Sequence, residues 1–208
     1  MPKATNREVE IKLRVADLPS LLRRLRKLAR PFRGRILEQN TLYDTPGASF
    51  RRCGRLLRVR LETPAPSGSP LGRPRSRAIL TSKAPPPRQG GKSLRRRYKE
   101  RLERELIVRD QTRWPRLLRS LGLRPAFLYE KYRTSFKLPR LHLDLDETPA
   151  GVFLELEGAP QAIDRAARSL GFAPHDYIRG TYWDVYVADC RRRGRTPRNM
   201  LFRAQNSR

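Results

Sequence analysis

The chain has 208 residues, with 47 Lys or Arg against 20 Asp or Glu; its formal net charge of +27 implies a polyanionic partner such as a nucleotide, polyphosphate, nucleic acid or acidic membrane surface. That length suits one domain with a substantial core, or two small ones, and 38% hydrophobic residues permit folding. Cys53 and Cys190 stand in no CxxC spacing, His142 and His175 are isolated, and no run approaches ~18 apolar residues, which argues against a disulfide framework, a zinc site, secretion or a membrane span and makes a cytoplasmic location the expectation.

In chain order, Arg7 to Val15 alternates as a strand, with Glu8, Glu10, Lys12 and Arg14 on one face and Val9, Ile11, Leu13 and Val15 on the other. Asp17 is placed to cap a helix that has Pro19 in its first turn and leucines at helical spacing as far as Ala29. Phe32 to Thr45 reads as extended, Asp44 as a turn residue, and Pro46-Gly47 as the turn. A strand over Arg55–Glu62 sets Leu56, Arg58, Arg60 and Glu62 in one phase; a strand over Ser76–Lys83 does so for Arg77, Ile79, Thr81 and Lys83. Lys99 to Val108 returns to alternation, with Arg101, Glu103, Glu105 and Ile107 on one side. Asp110 is expected to cap a helix closed by Gly122, and Phe127 to Leu138 is a long strand carrying Tyr129, Lys131, Arg133, Ser135 and Lys137 in phase. Arg140–Glu147 and Val152–Glu157 pair as a hairpin, followed by helices over about Pro160–Leu170 and Thr181–Arg191. The Pro-rich and Arg-rich stretches at about 63–75 and 85–98 read as mobile loops; residues 1–190 form a single domain, and 191–208 a disordered basic tail.

The charges are sorted. Four i,i+2 acid pairs, Glu8/Glu10, Glu103/Glu105, Asp144/Asp146 and Glu155/Glu157, hold eight of the 20 acidic residues. A carboxylate row makes most sense where a cation neutralises it, and oxygen ligands favour Mg²⁺ or Mn²⁺. Cationic pairs answer at Arg58/Arg60 and Lys131/Arg133, each with an apolar or aromatic opposite face. Several strands thus offer a mixed-charge face to one shared space. The fold expected is α+β: a closed eight-stranded antiparallel β-barrel, or tunnel, with a charged interior and flanking helices over an apolar outer face.

The ordered series Glu8-Val9-Glu10-Ile11-Lys12, Leu57-Arg58-Val59-Arg60, Thr81-Ser82-Lys83, Arg101 to Glu105, Glu130 to Arg133, Leu143-Asp144, Phe153 to Glu157 and Thr181-Tyr182 resembles the CYTH family of triphosphate tunnel metalloenzymes, from Glu8 to about Val187. The resemblance implies a tunnel that takes a triphosphate end-on with Mg²⁺ or Mn²⁺. Glu8, Glu10, Glu103, Glu105, Asp144, Glu155 and Glu157 would hold the metal or orient its ligands. Lys12, Arg58, Arg60, Lys83, Lys131 and Arg133 would hold phosphate oxygens, and Arg179 would cover one mouth. Lys131 would orient or deprotonate the attacking water, or serve as a plain phosphate clamp. The expected reaction is hydrolysis of tripolyphosphate, ATP or another organic triphosphate. Its rival within the family is class IV adenylate cyclisation of ATP to cyclic AMP and pyrophosphate. A non-enzymatic polyanion or nucleic-acid binding module stands as a third reading, and the basic loops and tail could add such contact to an enzyme.

Overall fold

The computed structural model describes residues 6–29, 31, 32, 34–65, 76–87, 97–108 and 113–202. Its strands are β1 (Asn6–Val15), β2 (Ile36–Asp44), β3 (Leu56–Pro64), β4 (Arg77–Ala84), β5 (Lys99–Val108), β6 (Arg124–Leu138), β7 (Leu141–Thr148) and β8 (Gly151–Gly158). The helices are α1 (Leu18–Leu28), α2 (Ser49–Arg52), α3 (Arg113–Ser120), α4 (Pro160–Ser169) and α5 (Tyr182–Arg192). All eight strands close into one antiparallel barrel in the order β1-β5-β4-β3-β2-β6-β7-β8, as expected of the tunnel.

Alternation decides what faces where. Outside, Ile11, Leu13, Leu143, Leu145, Leu154 and Leu156 lie under α1 and α4, packed with Leu21, Leu25, Ile163 and Ala167. Leu13, Leu143, Leu154 and Leu156 are fully shielded, each contributing about 1.5–3 kcal/mol of burial. Asp17 Oδ1 accepts the Ser20 N–H at 3.0 Å, which starts α1 where the chain leaves β1. At the β7–β8 turn, Gly151 adopts φ +123°, a conformation that strains a side chain, and the Thr148 hydroxyl closes the turn onto its carbonyl at 2.8 Å. At one barrel end α5 packs against the wall, with Tyr182 and Val185 on Phe127, Tyr129 and Phe153, and leaves the tunnel continuous past Thr181 and Trp183.

Three expectations are corrected. The Pro46-Gly47 turn leads into α2, and Asp44 does more than turn the chain. Its carboxylate accepts the N–H groups of Thr45 (2.8 Å), Phe50 (2.9 Å) and Arg51 (3.0 Å). The loops expected at 63–75 and 85–98 lie mostly outside the described residues, but their ends are built in: β3 runs to Pro64, and buried Tyr98 donates to Asp164 at 2.7 Å. The tail expected to be disordered from residue 191 instead returns to the barrel. Met200, only 1% exposed, donates its N–H to Leu128 O and accepts from Glu130 N, each at 2.9 Å, and Phe202 packs on Tyr132. This segment runs parallel to the first half of β6, where β7 does not reach. A long basic composition hid the apolar Met200-Leu201-Phe202. Residues 203–208 and the Asp110 cap lie outside the described residues.

Candidate functional site

Inward phases from all eight strands meet along the barrel axis. Glu8, Glu10, Lys12, Arg58, Arg60, Lys83, Glu103, Glu105, Lys131, Arg133, Asp144, Glu155 and Glu157 line one cavity of about 220 Å³. A second cavity of about 400 Å³ overlaps it at Arg60, Arg133, Asp144 and Glu157 and opens at the other end past Arg77 and Glu62. Of the residues expected at the site, Arg179 alone is not brought into the tunnel wall; it stands exposed ahead of α5.

Register explains the pairing, because opposite charges face each other across neighbouring strands. Lys12 lies opposite Glu155, Arg133 opposite Asp146, and Lys83 opposite Glu103. Lys12 Nζ donates to Glu155 at 2.6 Å and Arg133 bridges Asp144, Asp146 and Glu155 at 2.5–2.7 Å. Lys131 Nζ donates to Asp146 at 2.8 Å and stands 3.4 Å from Glu38 and 3.9 Å from Glu155. Burial would push the Glu155 carboxyl up, but Lys12, Lys131 and Arg133 hold it well below its ordinary value. Burial would likewise push Lys12 down, and Glu155 and Glu10 outweigh it, keeping its pKa raised.

Arg58 stands apart. It is 6% exposed, yet its nitrogens reach hydroxyls, Thr81 Oγ1 at 3.1 Å and Tyr129 OH at 3.4 Å, with Glu105 no closer than 3.9 Å. Its Nε has no acceptor among the described residues. A buried guanidinium without a close carboxylate is costly until an anion arrives.

The acidic wall behaves differently. Glu8 accepts from Lys83 at 2.6 and 2.8 Å, Glu103 lies 3.1 Å from the same nitrogen, and Glu10 accepts from Lys99. Burial, together with repulsion from Glu10, Glu103 and Glu157, pushes the Glu8 carboxyl up to about 8. Burial with Glu103 and Glu10 pushes Glu157 up to about 7. Among the described residues no three His, Cys, Asp or Glu groups converge on one point. The carboxylates turn toward lysines instead. In donor type and charge the set of Glu8, Glu10, Glu103 and Glu157 nonetheless fits a hard divalent ion, whose charge would relieve that repulsion and replace the ammonium groups.

Several tunnel residues were not read as site residues. Glu38 is fully buried, accepts from Arg60 at 3.0 Å, and one of its oxygens has no hydrogen-bond donor among the described residues. Asp146 receives Lys131, Arg133 and, at 2.5 Å, Tyr182 OH, whose ring lies 4.4 Å from Lys12 Nζ and 4.8 Å from Lys131 Nζ. His142 Nε2 lies 3.0 Å from Asp144, and that bond raises the imidazole pKa. Asp146, Tyr129 and Lys99 were signalled by strand phase, as each continues an inward row. Glu38 carried no such signal.

Known proteins share this architecture. Solved structures with this fold include a candidate adenylate cyclase from Vibrio parahaemolyticus, 17% identical with a TM-score of 0.67, covering 88% of this chain and 98% of its own. The PH1819 protein of Pyrococcus horikoshii OT3 is 22% identical with a TM-score of 0.67, covering 87% and 98%. HpAC1 from Hippeastrum, a candidate adenylyl cyclase with a dominant triphosphatase activity, is 16% identical with a TM-score of 0.52, covering 91% and 97%. No curated protein matches significantly. The sequence pattern of the CYTH domain matches residues 6–182, so the greater part of the chain, including every strand of the barrel, carries it, and this protein belongs to the CYTH domain family.

Proposed function

We propose that this protein is a divalent-metal-dependent enzyme that takes a triphosphate into the tunnel and hydrolyses it. The observation that carries the reading is Arg58, a guanidinium buried in the tunnel wall with an Nε donor that no acceptor meets among the described residues. Burying a guanidinium with one donor left open is costly, and an anion in the tunnel would offset that cost. Lys12, Arg60, Lys83, Lys131 and Arg133 share the cavity, so a chain of phosphates would meet cations along its length. Phosphoryl transfer rests chiefly on positioning and charge stabilisation, which a rigid barrel holding pre-set cations provides.

The other tunnel cations are pre-oriented by carboxylates. Glu155 holds Lys12, and Asp146 holds Lys131 and Arg133. Phosphate oxygens would compete for the same N–H groups without requiring the side chains to move far. Lys131 Nζ is engaged with three carboxylates, the setting of a cation held for electrostatic work, and the phosphate clamp is the role proposed for it. Glu8, Glu10, Glu103 and Glu157 would hold Mg²⁺ or Mn²⁺, which when bound neutralises phosphate oxygens as a Lewis acid. Water would reach the terminal phosphorus from the second opening, because a triphosphate entering end-on points its last phosphorus away from its own entrance.

The test is a paired product assay: purified protein with Mn²⁺ or Mg²⁺ and either tripolyphosphate or ATP, with phosphate and cyclic AMP both measured. Metal-dependent phosphate release from either substrate, lost in Glu10→Ala, is the expected result. Cyclic AMP without phosphate would establish the cyclase instead. Binding of polyanions that survives Glu10→Ala, with no product of either kind, would establish a binding module.

A further inference from the structure

A third cavity, of about 640 Å³, adjoins the tunnel at the α5 end and shares Leu42, Leu56, Phe127, Thr181 and Trp183 with it. Its walls change in character from the tunnel's. Phe50, Leu57, Pro125, Phe127 and Trp183 supply apolar and aromatic surface, and Trp183 stands edge-on to Phe127 with centroids 4.9 Å apart. A triphosphate seated among Lys12, Arg58 and Lys131 with a substituent on its outer end would deliver that substituent here. Flat aromatic walls suit a planar ring.

Charge narrows the class of ring. Four arginines, Arg51, Arg55, Arg101 and Arg124, line the same cavity. Arg51 lies over the Trp183 ring at 5.7 Å, and Arg101 donates to the Gly54 carbonyl. Two carboxylates also line it, but each is committed to backbone: Asp44 caps α2, and Asp184 accepts the Thr181 N–H at 2.7 Å as the cap of α5. In the tunnel nearly every cation is answered by a carboxylate within 4 Å; among the described residues none of these four arginines is in such an ion pair. A cationic heterocycle would meet repulsion here, whereas an added anionic group could draw on half-buried Arg101 and on the exposed Arg51, Arg55 and Arg124.

Building on the triphosphate reading of the tunnel, we propose that the preferred substrate is a nucleoside 5′-triphosphate that carries a further phosphate on its sugar, with the base against Trp183 and Phe50 and the extra phosphate among Arg51, Arg55, Arg101 and Arg124. This chemistry occurs in a small 3′-phosphorylated nucleotide and at the 5′-triphosphate end of a nucleic acid chain. The latter would draw on the +27 charge of the whole protein.

Equilibrium binding tests the pocket without requiring turnover. The probes are tripolyphosphate, ATP, thiamine triphosphate, a 3′-phosphorylated adenosine 5′-triphosphate and a short 5′-triphosphorylated RNA, each titrated into the full-length protein with Ca²⁺ in place of the catalytic metal. The 3′-phosphorylated nucleotide should bind about tenfold or more tighter than ATP, and ATP tighter than thiamine triphosphate. In Arg51→Ser/Arg124→Ser the advantage of the 3′-phosphate over ATP should fall about tenfold, and in Trp183→Ala the ratio of ATP to tripolyphosphate affinity should fall. RNA that binds tighter than the mononucleotide, with a steeper salt dependence, marks the nucleic acid end as the source; equal affinity marks the small nucleotide. Equal binding of ATP and its 3′-phosphorylated form, or tightest binding of thiamine triphosphate, overturns the proposal. Because tripolyphosphate occupies only the tunnel, its failure to bind counts against the triphosphate reading, while selectivity among the organic ligands reports on the pocket alone.

Discussion

Asp146 and Glu147 are neighbours on β7 whose side chains face opposite sides of the barrel wall, and comparing them tests the charged interior directly. Asp146 is fully buried and accepts from Lys131 (2.8 Å), Arg133 (2.6 and 2.7 Å) and Tyr182 (2.5 Å). Glu147 pairs with Arg35 at 2.8 Å, but their side chains are 33% and 44% exposed. In Asp146→Ala, Lys131 and Arg133 lose the carboxylate that both bond directly, while Glu38 and Glu155 remain near each. Removing one partner from a buried ion pair costs about 3–5 kcal/mol, whereas an exposed pair is worth about 0–1 kcal/mol. For a chain of this length, ~1 kcal/mol moves Tm by about 2–4 °C, so Asp146→Ala should melt roughly 6–20 °C below wild type and Glu147→Ala within about 4 °C of it. Burial outweighs the pull of Arg133 and Lys131 and raises the Asp146 carboxyl above its ordinary value, so both variants are compared with wild type at the same pH. Urea unfolding with tryptophan fluorescence, alongside calorimetry, reads both variants. Saturating tripolyphosphate should recover more stability in Asp146→Ala than in wild type, since it supplies negative charge to the uncovered cations. Equal melting of the two variants, or no extra rescue by the ligand, would refute the view that the tunnel balances its own charge.

Arg58→Met should weaken tripolyphosphate binding by about 2–5 kcal/mol, roughly 30- to 4000-fold, by isothermal titration, while leaving urea stability unchanged or higher, because it removes a buried guanidinium with no close carboxylate partner. Asp44→Ala should cost about 1–2 kcal/mol through the lost cap of α2. Burial pushes the Asp44 carboxyl up, but the N–H donors of Phe50, Arg51 and Thr45 outweigh it and hold the carboxyl below its ordinary value. Its contribution is therefore present above the unfolded value of ~3.9 and is lost as pH falls through the lower folded value, so wild type and Asp44→Asn should converge in acid. Met200→Ala, at a position 1% exposed, should cost about 2–5 kcal/mol in urea unfolding.

How much was legible in the sequence depended on whether a strand alternates cleanly. β1 and β3 each set a charged row against an apolar one, and β6 a cationic row against a partly aromatic one, and Glu8, Glu10, Lys12, Arg58, Arg60, Lys131 and Arg133 from those rows line the cavity. β2 reads Glu38-Gln39-Asn40-Thr41, polar on both faces, so nothing in the pattern told Glu38, fully buried, from Gln39, which lies on the other side. α2 is only four residues long, too short to show periodicity, and its cap on Asp44 is a matter of geometry. Trp183 and Phe50 lie far apart in the chain and line one cavity only because α5 starts at the barrel end beside α2. Pro125 obscured the start of β6, which begins at Arg124 because that proline sits where the pairing with β2 shifts register.

The return of the chain's end to β6 carries a consequence for how these molecules keep apart. Asn199 and Met200 occupy the backbone donor and acceptor positions of Leu128 and Glu130 that no other strand covers among the described residues, with Asn199 Oδ1 accepting the Leu128 N–H at 3.0 Å. Cleaved just before them, the molecule would present a bare ladder rung beside aromatic surface, an invitation for a neighbour's backbone to add itself. The segment at Asn199 and Met200 thus works as a built-in shield against sticking together, and it lies beyond residue 182, where the family pattern stops.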